Sequence, residues 1–290
     1  MAPPLPPPQP GPLPGQNLAL SGPIPYPLLI QVENTAPARP QAGLGAASVV
    51  FQYLVEGSIT RMSALFHQVP GVVGPVRSAR FISVYLYERT GSLQMASGGS
   101  SWTYDKIAQT GVYAIINDFD RGQHFFRWNG RVAPHNLYTS QSQMLAAATV
   151  HARPPKSDDF LRSNTWAGTT PAPVISVPAD HLVFNYSNGS YDVVSDGAEE
   201  TDVIYGVLRP RSVVVMHVQQ WVTNLCQEEH GCARDYNLTG TGGAELYANG
   251  TVINGSWAAA GGPTGPLTLA NSAGQPVGML PGLLWVVLAP

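Results

Sequence analysis

From residue 27 onward the chain alternates short apolar runs with Gly, Pro, Asn and polar punctuation. Residues 28–32 are apolar around a single Gln, as expected of a strand covered on both faces, and the run ends at Glu33-Asn34. Residues 37–44 must form a loop, because Pro37 and Pro40 each bias the preceding residue away from helix. Residues 48–55 and 59–69 are β-branched and aromatic, and Gly57-Ser58 between them predicts a β-hairpin. After a turn over residues 71–75, Ser78 is placed to cap a helix reaching about Arg89. Phe81, Val84, Tyr85 and Glu88 there fall at helical spacing, and Gly91 is the stop. Residues 93–96 predict another strand, a Gly98-Gly99-Ser100-Ser101 turn leads to a short helix through Ile107, and residues 112–116 are again apolar and extended. Ser140 and Gln143 stand at capping-box spacing ahead of a helix over residues 144–150.

Beyond residue 182 the pattern changes to short apolar runs separated by Asn188-Gly189, Asn249-Gly250 and Asn254-Gly255, the preferred dipeptides of two-residue hairpins. Some of these pairs also match the glycosylation acceptor pattern, but the turn requirement explains them. Residues 283–288 read as a closing strand. The expected fold is therefore an α+β, or mixed α/β, N-terminal domain followed by a smaller, mostly-β C-terminal domain. Residues 1–20 form a proline-rich disordered spacer in this reading, 21–152 the first domain, 153–177 a linker and 178–290 the second domain. Eight prolines and no charge in residues 1–16 underlie the first assignment.

Composition narrows the function. With 44% hydrophobic residues in 290, the chain can bury a large core. A net charge of -3 without any basic tract argues against nucleic acid as a partner. No run of about 18 apolar residues predicts a transmembrane helix. Cys226 and Cys232 lie close together in a polar loop, where a local disulfide is favoured over a zinc site because His230 alone is a poor third ligand. A disulfide points to an oxidising, extracytoplasmic setting.

Only 11% of the chain is charged, so charged residues inside apolar or small-residue segments stand out. Three segments carry them: Leu54-Val55-Glu56-Gly57-Ser58-Ile59-Thr60-Arg61, Gly74-Pro75-Val76-Arg77-Ser78-Ala79-Arg80, and Ala133-Pro134-His135-Asn136-Leu137-Tyr138-Thr139-Ser140. Arg77 and Arg80 are three apart at a predicted helix N-terminus, where the macrodipole opposes positive charge unless an anion is held nearby. That anion is either Glu56, in an internal ion pair, or a ligand carboxylate or phosphate. His135 and Asn136 occupy a loop, either as local caps or as groups presented to a cleft. Glu56 and His135 are the candidate acid–base pair. No nucleophile elbow, Walker loop, zinc-protease helix or Cys-x-x-Cys site accompanies them, and no cofactor or metal is expected. Asn117-Asp118-Phe119-Asp120 offers oxygens to a hard cation but reads more simply as a solvated turn. Of the intervening aromatics, Tyr104, Tyr113, Phe125 and Phe126 are expected in the core, with Trp102 and Trp128 as candidate surface contacts.

Together with Arg39-Pro40-Gln41-Ala42-Gly43-Leu44, these segments occur in the order and spacing found in the bacterial YerB-like lipoproteins, a family without assigned function, which the chain resembles. Gly250-Thr251-Val252-Ile253-Asn254-Gly255-Ser256-Trp257 and Pro281-Gly282-Leu283-Leu284-Trp285-Val286 extend the resemblance into the family's C-terminal domain, so it covers residues 27–290. It implies an exported, lipid-anchored envelope protein of two domains. The lipobox cysteine is not in this sequence, so membrane contact would come only through an inferred anchor. Ser48 and Gln52 stand where the family tends to carry Asp and Glu, which weakens a hydrolytic reading. The preferred expectation is a non-catalytic envelope module binding a cell-wall component or an envelope protein. Arg61, Arg77, Arg80, Glu56, His135 and Asn136 would surround its anion-accepting cleft. The alternative is a hydrolase or transferase acting on an envelope polymer through Glu56 and His135.

Overall fold

The computed structural model describes residues 11–111, 114–116, 123–149, 160, 162–227, 231–259, 261 and 265–290. Its first strands are β1 (Leu28–Glu33), β2 (Val49–Leu54) and β3 (Thr60–Phe66), with β2 and β3 joined by a turn in which Gly57 and Ser58 both have positive φ. Helix α1 (Phe81–Thr90) follows, then β4 (Leu93–Ala96), α2 (Ser101–Thr110), β5 (Ala114–Ile116), β6 (Leu137–Ser140) and α3 (Gln141–Ala147). Ser140 and Gln143 form the expected capping box of α3, and Gly91 ends α1 in the left-handed conformation. The cap of α1 is Arg80 rather than Ser78: the Ser83 hydroxyl accepts from the Arg80 N–H, so the helix starts two residues later than expected. Val112, Tyr113, His230 and residues 117–120 lie outside the described residues.

The second half contributes β7 (Val174–Val177), β8 (Leu182–Ser187), β9 (Ser190–Ser195), β10 (Ser212–His217), β11 (Gln220–Gln227), β12 (Gly231–Tyr236), β13 (Gly240–Ala248), β14 (Thr251–Ala259), β15 (Leu267–Asn271) and β16 (Leu284–Ala289). Asn188-Gly189 and Asn249-Gly250 make the expected turns, with positive φ at all four residues. Asn254-Gly255 does not. It lies inside β14, where a Cβ at Gly255 would come 1.9 Å from the Ala270 carbonyl oxygen of the neighbouring strand. That glycine serves a close approach of two strands.

The principal sheet has eleven strands, and ten of them run in the order β15-β14-β13-β10-β16-β2-β3-β1-β4-β5. The last strand of the chain, β16, lies parallel to β10 on one side and to β2 on the other, so both halves share one sheet. Side chains of its central strands alternate between two cores. Ile30, Val32, Val50, Met62, Val213 and Trp285 face one, while Leu29, Phe51, Leu65, Val214, Leu284 and Val286 face the other beneath α1. Burial on both faces is why these strands read as unbroken apolar runs. Gln52 sits within this join and accepts a hydrogen bond from Trp285 Nε1 at 3.1 Å.

Two expectations about flexible segments change. Residues 11–20 are not a free spacer: Leu13 is buried against Ala42, Val72 and Tyr138, and the Gly11 and Ala19 carbonyls accept hydrogen bonds from Trp128 and Gln141. The connector after residue 160 is also structured, since Thr170–Pro171 pairs with β14 and β7 begins a separate four-stranded sheet. Proline-rich composition in the first segment and polar composition in the second concealed this, because each segment pairs or packs through its backbone and a few apolar side chains.

Candidate functional site

Five segments of the first half and one hairpin of the second line a cavity of about 530 Å³. Arg61 enters it from β3, Arg77 and Arg80 from the segment leading into α1, Glu56 from the β2–β3 turn and Glu33 from the end of β1. Gly98, Gly99 and Ser100 line another wall and cap α2. The N-termini of two ten-residue helices thus open at one cavity, where unpaired N–H groups and aligned peptide dipoles favour an anion. Gln227 closes the side facing the second half.

The charges are arranged as follows. Arg80 Nε meets Glu56 Oε2 at 2.7 Å, the internal pair that spacing had offered as one option. Arg77 Nε lies 3.3 Å from Glu33 Oε1, which also accepts from the Thr35 hydroxyl at 2.8 Å and sits 2.9 Å from His135 Nδ1. Arg61 has no carboxylate within ion-pair distance among the described residues. Its Nη1 donates to the Ser78 carbonyl at 3.0 Å, and its buried Nε has no hydrogen-bond partner among the described residues. Burial, reinforced by the nearby guanidiniums of Arg80 and Arg77, pushes the Arg61 pKa down to about 9. Three guanidiniums against two carboxylates leave the cavity one positive charge in excess.

Sequence reasoning therefore identified Arg61, Arg77, Arg80 and Glu56 as neighbours, and they are. His135 and Asn136 are corrections. His135 bonds Glu33, and no hydrogen bond or ion pair joins it to Glu56 among the described residues, so the acid–base pair does not form. Asn136 is consumed internally, accepting from Arg127 Nη1 at 2.7 Å and donating to the Arg131 carbonyl at 3.1 Å. Glu33 was passed over as a strand end, although an acid closing a hexapeptide otherwise buried throughout was a readable signal. Trp128 is half-buried, edge-on to Tyr138 at 6.0 Å, and Trp102 is half-buried on α2; neither lines the cavity.

The hairpin β11–β12 carries the Cys226–Cys232 disulfide next to Gln227, as the sequence led us to expect. Two hydroxyls pin this hairpin to the first half: Tyr236 donates to the Leu54 carbonyl at 2.6 Å, and Tyr85 donates to Asp235 Oδ1 at 2.9 Å.

A second group of charges lies at the junction of the halves. Arg39 reaches Asp196 Oδ2 at 3.0 Å, Glu200 Oε1 at 3.2 Å, the Ser195 hydroxyl at 2.8 Å and the Asn34 carbonyl at 2.9 Å. Gln41 donates to the Glu33 carbonyl and to Asn34 Oδ1, each at 3.1 Å. Burial raises the Glu200 pKa to about 7 even against the pull of Arg39.

Comparison with known proteins bears on the family and the fold. Residues 21–153 match the N-terminal domain, and residues 175–286 the C-terminal domain, of a protein of unknown function (DUF3048). The chain is 29% identical over 278 residues to a Bacillus subtilis (strain 168) protein named "Putative lipoprotein YerB", covering 91% of this chain and 81% of that one. The crystal structure of the YerB protein from Bacillus subtilis superposes with a TM-score of 0.77 at 25% identity, over 92% of this chain and 91% of that one.

Proposed function

The chain belongs to the two-domain DUF3048 family, and from that premise we propose that it is a non-catalytic binding module of the cell envelope. Its ligand is an anionic cell-wall component whose carboxylate or phosphate enters the cavity of Arg61, Arg77 and Arg80. The observation that carries this reading is the excess of guanidinium over carboxylate in a concave site where two helix N-termini open. A structural ion-pair network would be expected to leave no buried guanidinium without an acid, and Arg61 has none among the described residues. The disulfide, and the name lipoprotein carried by the Bacillus relative, support an extracytoplasmic location.

Inorganic phosphate is the first probe. Titration calorimetry in low-salt buffer should show saturable binding, and phosphate at a hundredfold excess over Kd should stabilise the protein by about 2.7 kcal/mol. Arg80→Gln should weaken binding by the folded protein at least tenfold, and by leaving Glu56 without its partner it should also lower the unfolding midpoint of the free protein. Unchanged phosphate binding in Arg80→Gln would remove the cavity from the argument.

A further inference from the structure

Next to the arginine cavity lies a second one of about 270 Å³, and the two share Thr35 and Ile59 as a common wall. Its chemistry is opposite. No arginine or lysine lines it, and its ionisable residues are Asp180, His181 and Asp196. Three turns converge on it: Gly57-Ser58 from the first half, and Pro178–Asp180 with His181 and the Asp196-Gly197 turn from the second.

Asp180 is the unusual member. The residue is 1% exposed, and neither carboxylate oxygen has a hydrogen-bond partner among the described residues. Leaving a buried carboxylate unbonded costs several kcal/mol, and folds ordinarily avoid it. The strain shows in its acidity, which burial pushes up to about 7, while the field of Arg234 draws it down only in part. Asp196 is committed to Arg39 through Oδ2 but turns Oδ1 toward His181 Nδ1 at 3.7 Å. Asn or a hydrophobic residue at position 180 would remove the desolvation cost, so a carboxylate kept at the floor of a cavity is best explained by a cationic donor that arrives with the ligand.

We propose that Asp180 and the adjoining second cavity receive the ammonium group of the same ligand whose anionic group lies among the arginines. This rests on the anion-binding reading of the first cavity, and it makes the ligand a zwitterion of the amino-acid or short-peptide class. The shared wall fixes the order: the anion lies on the Arg61 side of Thr35 and Ile59, and the ammonium on the Asp180 side. Both volumes fall at or near the range of about 300–1,000 Å³ usual for small-molecule pockets. Together they suit a short peptide extended across the wall better than one free amino acid.

The test uses the full chain and its Asp180→Asn variant, with calorimetry of trialanine, N-acetyl-trialanine and inorganic phosphate. Trialanine is expected to bind the native protein at least tenfold more tightly than its N-acetyl form. Asp180→Asn should reduce trialanine to the level of the acetylated peptide while leaving N-acetyl-trialanine and phosphate unchanged. The variant should also unfold at a higher temperature at pH 8, which guards against loss of binding through misfolding. If both peptides bind the native protein equally, or if Asp180→Asn leaves the trialanine preference intact, the ammonium site is overturned while the arginine site stands. If phosphate and both peptides fail to bind, both readings fall.

Discussion

Two clusters of charge occupy this charge-poor chain, and they use the same residue types to different ends. At the junction between the halves, the Arg39 guanidinium reaches Asp196, Glu200, the Ser195 hydroxyl and the Asn34 carbonyl. At the cavity, Arg61, Arg77 and Arg80 share two acids, and Arg61 has none of its own among the described residues. The first arrangement closes on itself and the second faces open volume. A motif arginine is therefore not informative by type or burial. What separates structure from recognition is whether its donors are already spent on protein acceptors.

That contrast breaks most sharply at Arg39. Arg39→Ala leaves Glu200 and its neighbour Asp196 without their guanidinium, and loss of one partner of a buried pair typically costs about 3–5 kcal/mol. The expected effect is at the lower end, about 3 kcal/mol in urea unfolding at pH 8, with phosphate binding to the folded fraction unaltered. At pH 5 the cost should shrink, because Glu200 can protonate rather than remain an unpaired charge. A cost below about 1 kcal/mol at pH 8 would show that the Arg39 cluster contributes little to holding the two halves together.

Group for group, the pH dependence of the native chain is the next largest effect. Asp180 and Glu200 have folded pKa values of about 7, raised from ordinary values of 3.8 and 4.5. The folded state therefore binds these protons more tightly than the unfolded state does. Their contribution to stability is complete below about pH 4 and is lost as the pH rises through 7. Unfolding free energy should fall by up to about 2–3 kcal/mol for each of the two groups between pH 5 and pH 8. The Asp180→Asn/Glu200→Gln double variant should flatten that slope, and an unchanged slope would mean that other groups control it.

How much of this was legible beforehand depends on the range of each interaction. Local signals translated well: the capping box at Ser140, the stop at Gly91, the turns at Asn188-Gly189 and Asn249-Gly250, and the disulfide each depend on residues close together in sequence. The arginines could be grouped because the turn before α1 holds two of them and the β2–β3 hairpin supplies the third. Long-range pairings could not be read. Nothing in Leu284–Ala289 announces that it enters between β10 and β2, since an apolar run fits any interior position of a sheet. Asn136 takes the local of its two expected roles, bonding the Arg131 carbonyl, whereas the partner of His135 could not be read because Glu33 is 102 residues away. Asp180 and Glu200 passed unnoticed because they lie in polar stretches where an acid is unremarkable until its burial is known.

The smallest stability effect carries the sharpest form of the comparison. Arg61 is buried, its charge is opposed by Arg80 and Arg77, and its protein contact is the Ser78 carbonyl. Arg61→Met keeps much of the volume, loses that hydrogen bond and removes the cost of desolvating a guanidinium. Replacing buried charge by a hydrophobic residue is often neutral or stabilising. The unfolding free energy should stay within about 1 kcal/mol of the native value, or rise, where Arg39→Ala lowers it by about 3 kcal/mol. Phosphate affinity should move the other way, falling at least tenfold in Arg61→Met and not at all for folded Arg39→Ala. Calorimetry and urea unfolding on the two variants side by side measure both quantities. Should Arg61→Met instead destabilise the fold as much as Arg39→Ala, the cavity arginines belong to the framework and the division between the two clusters is wrong.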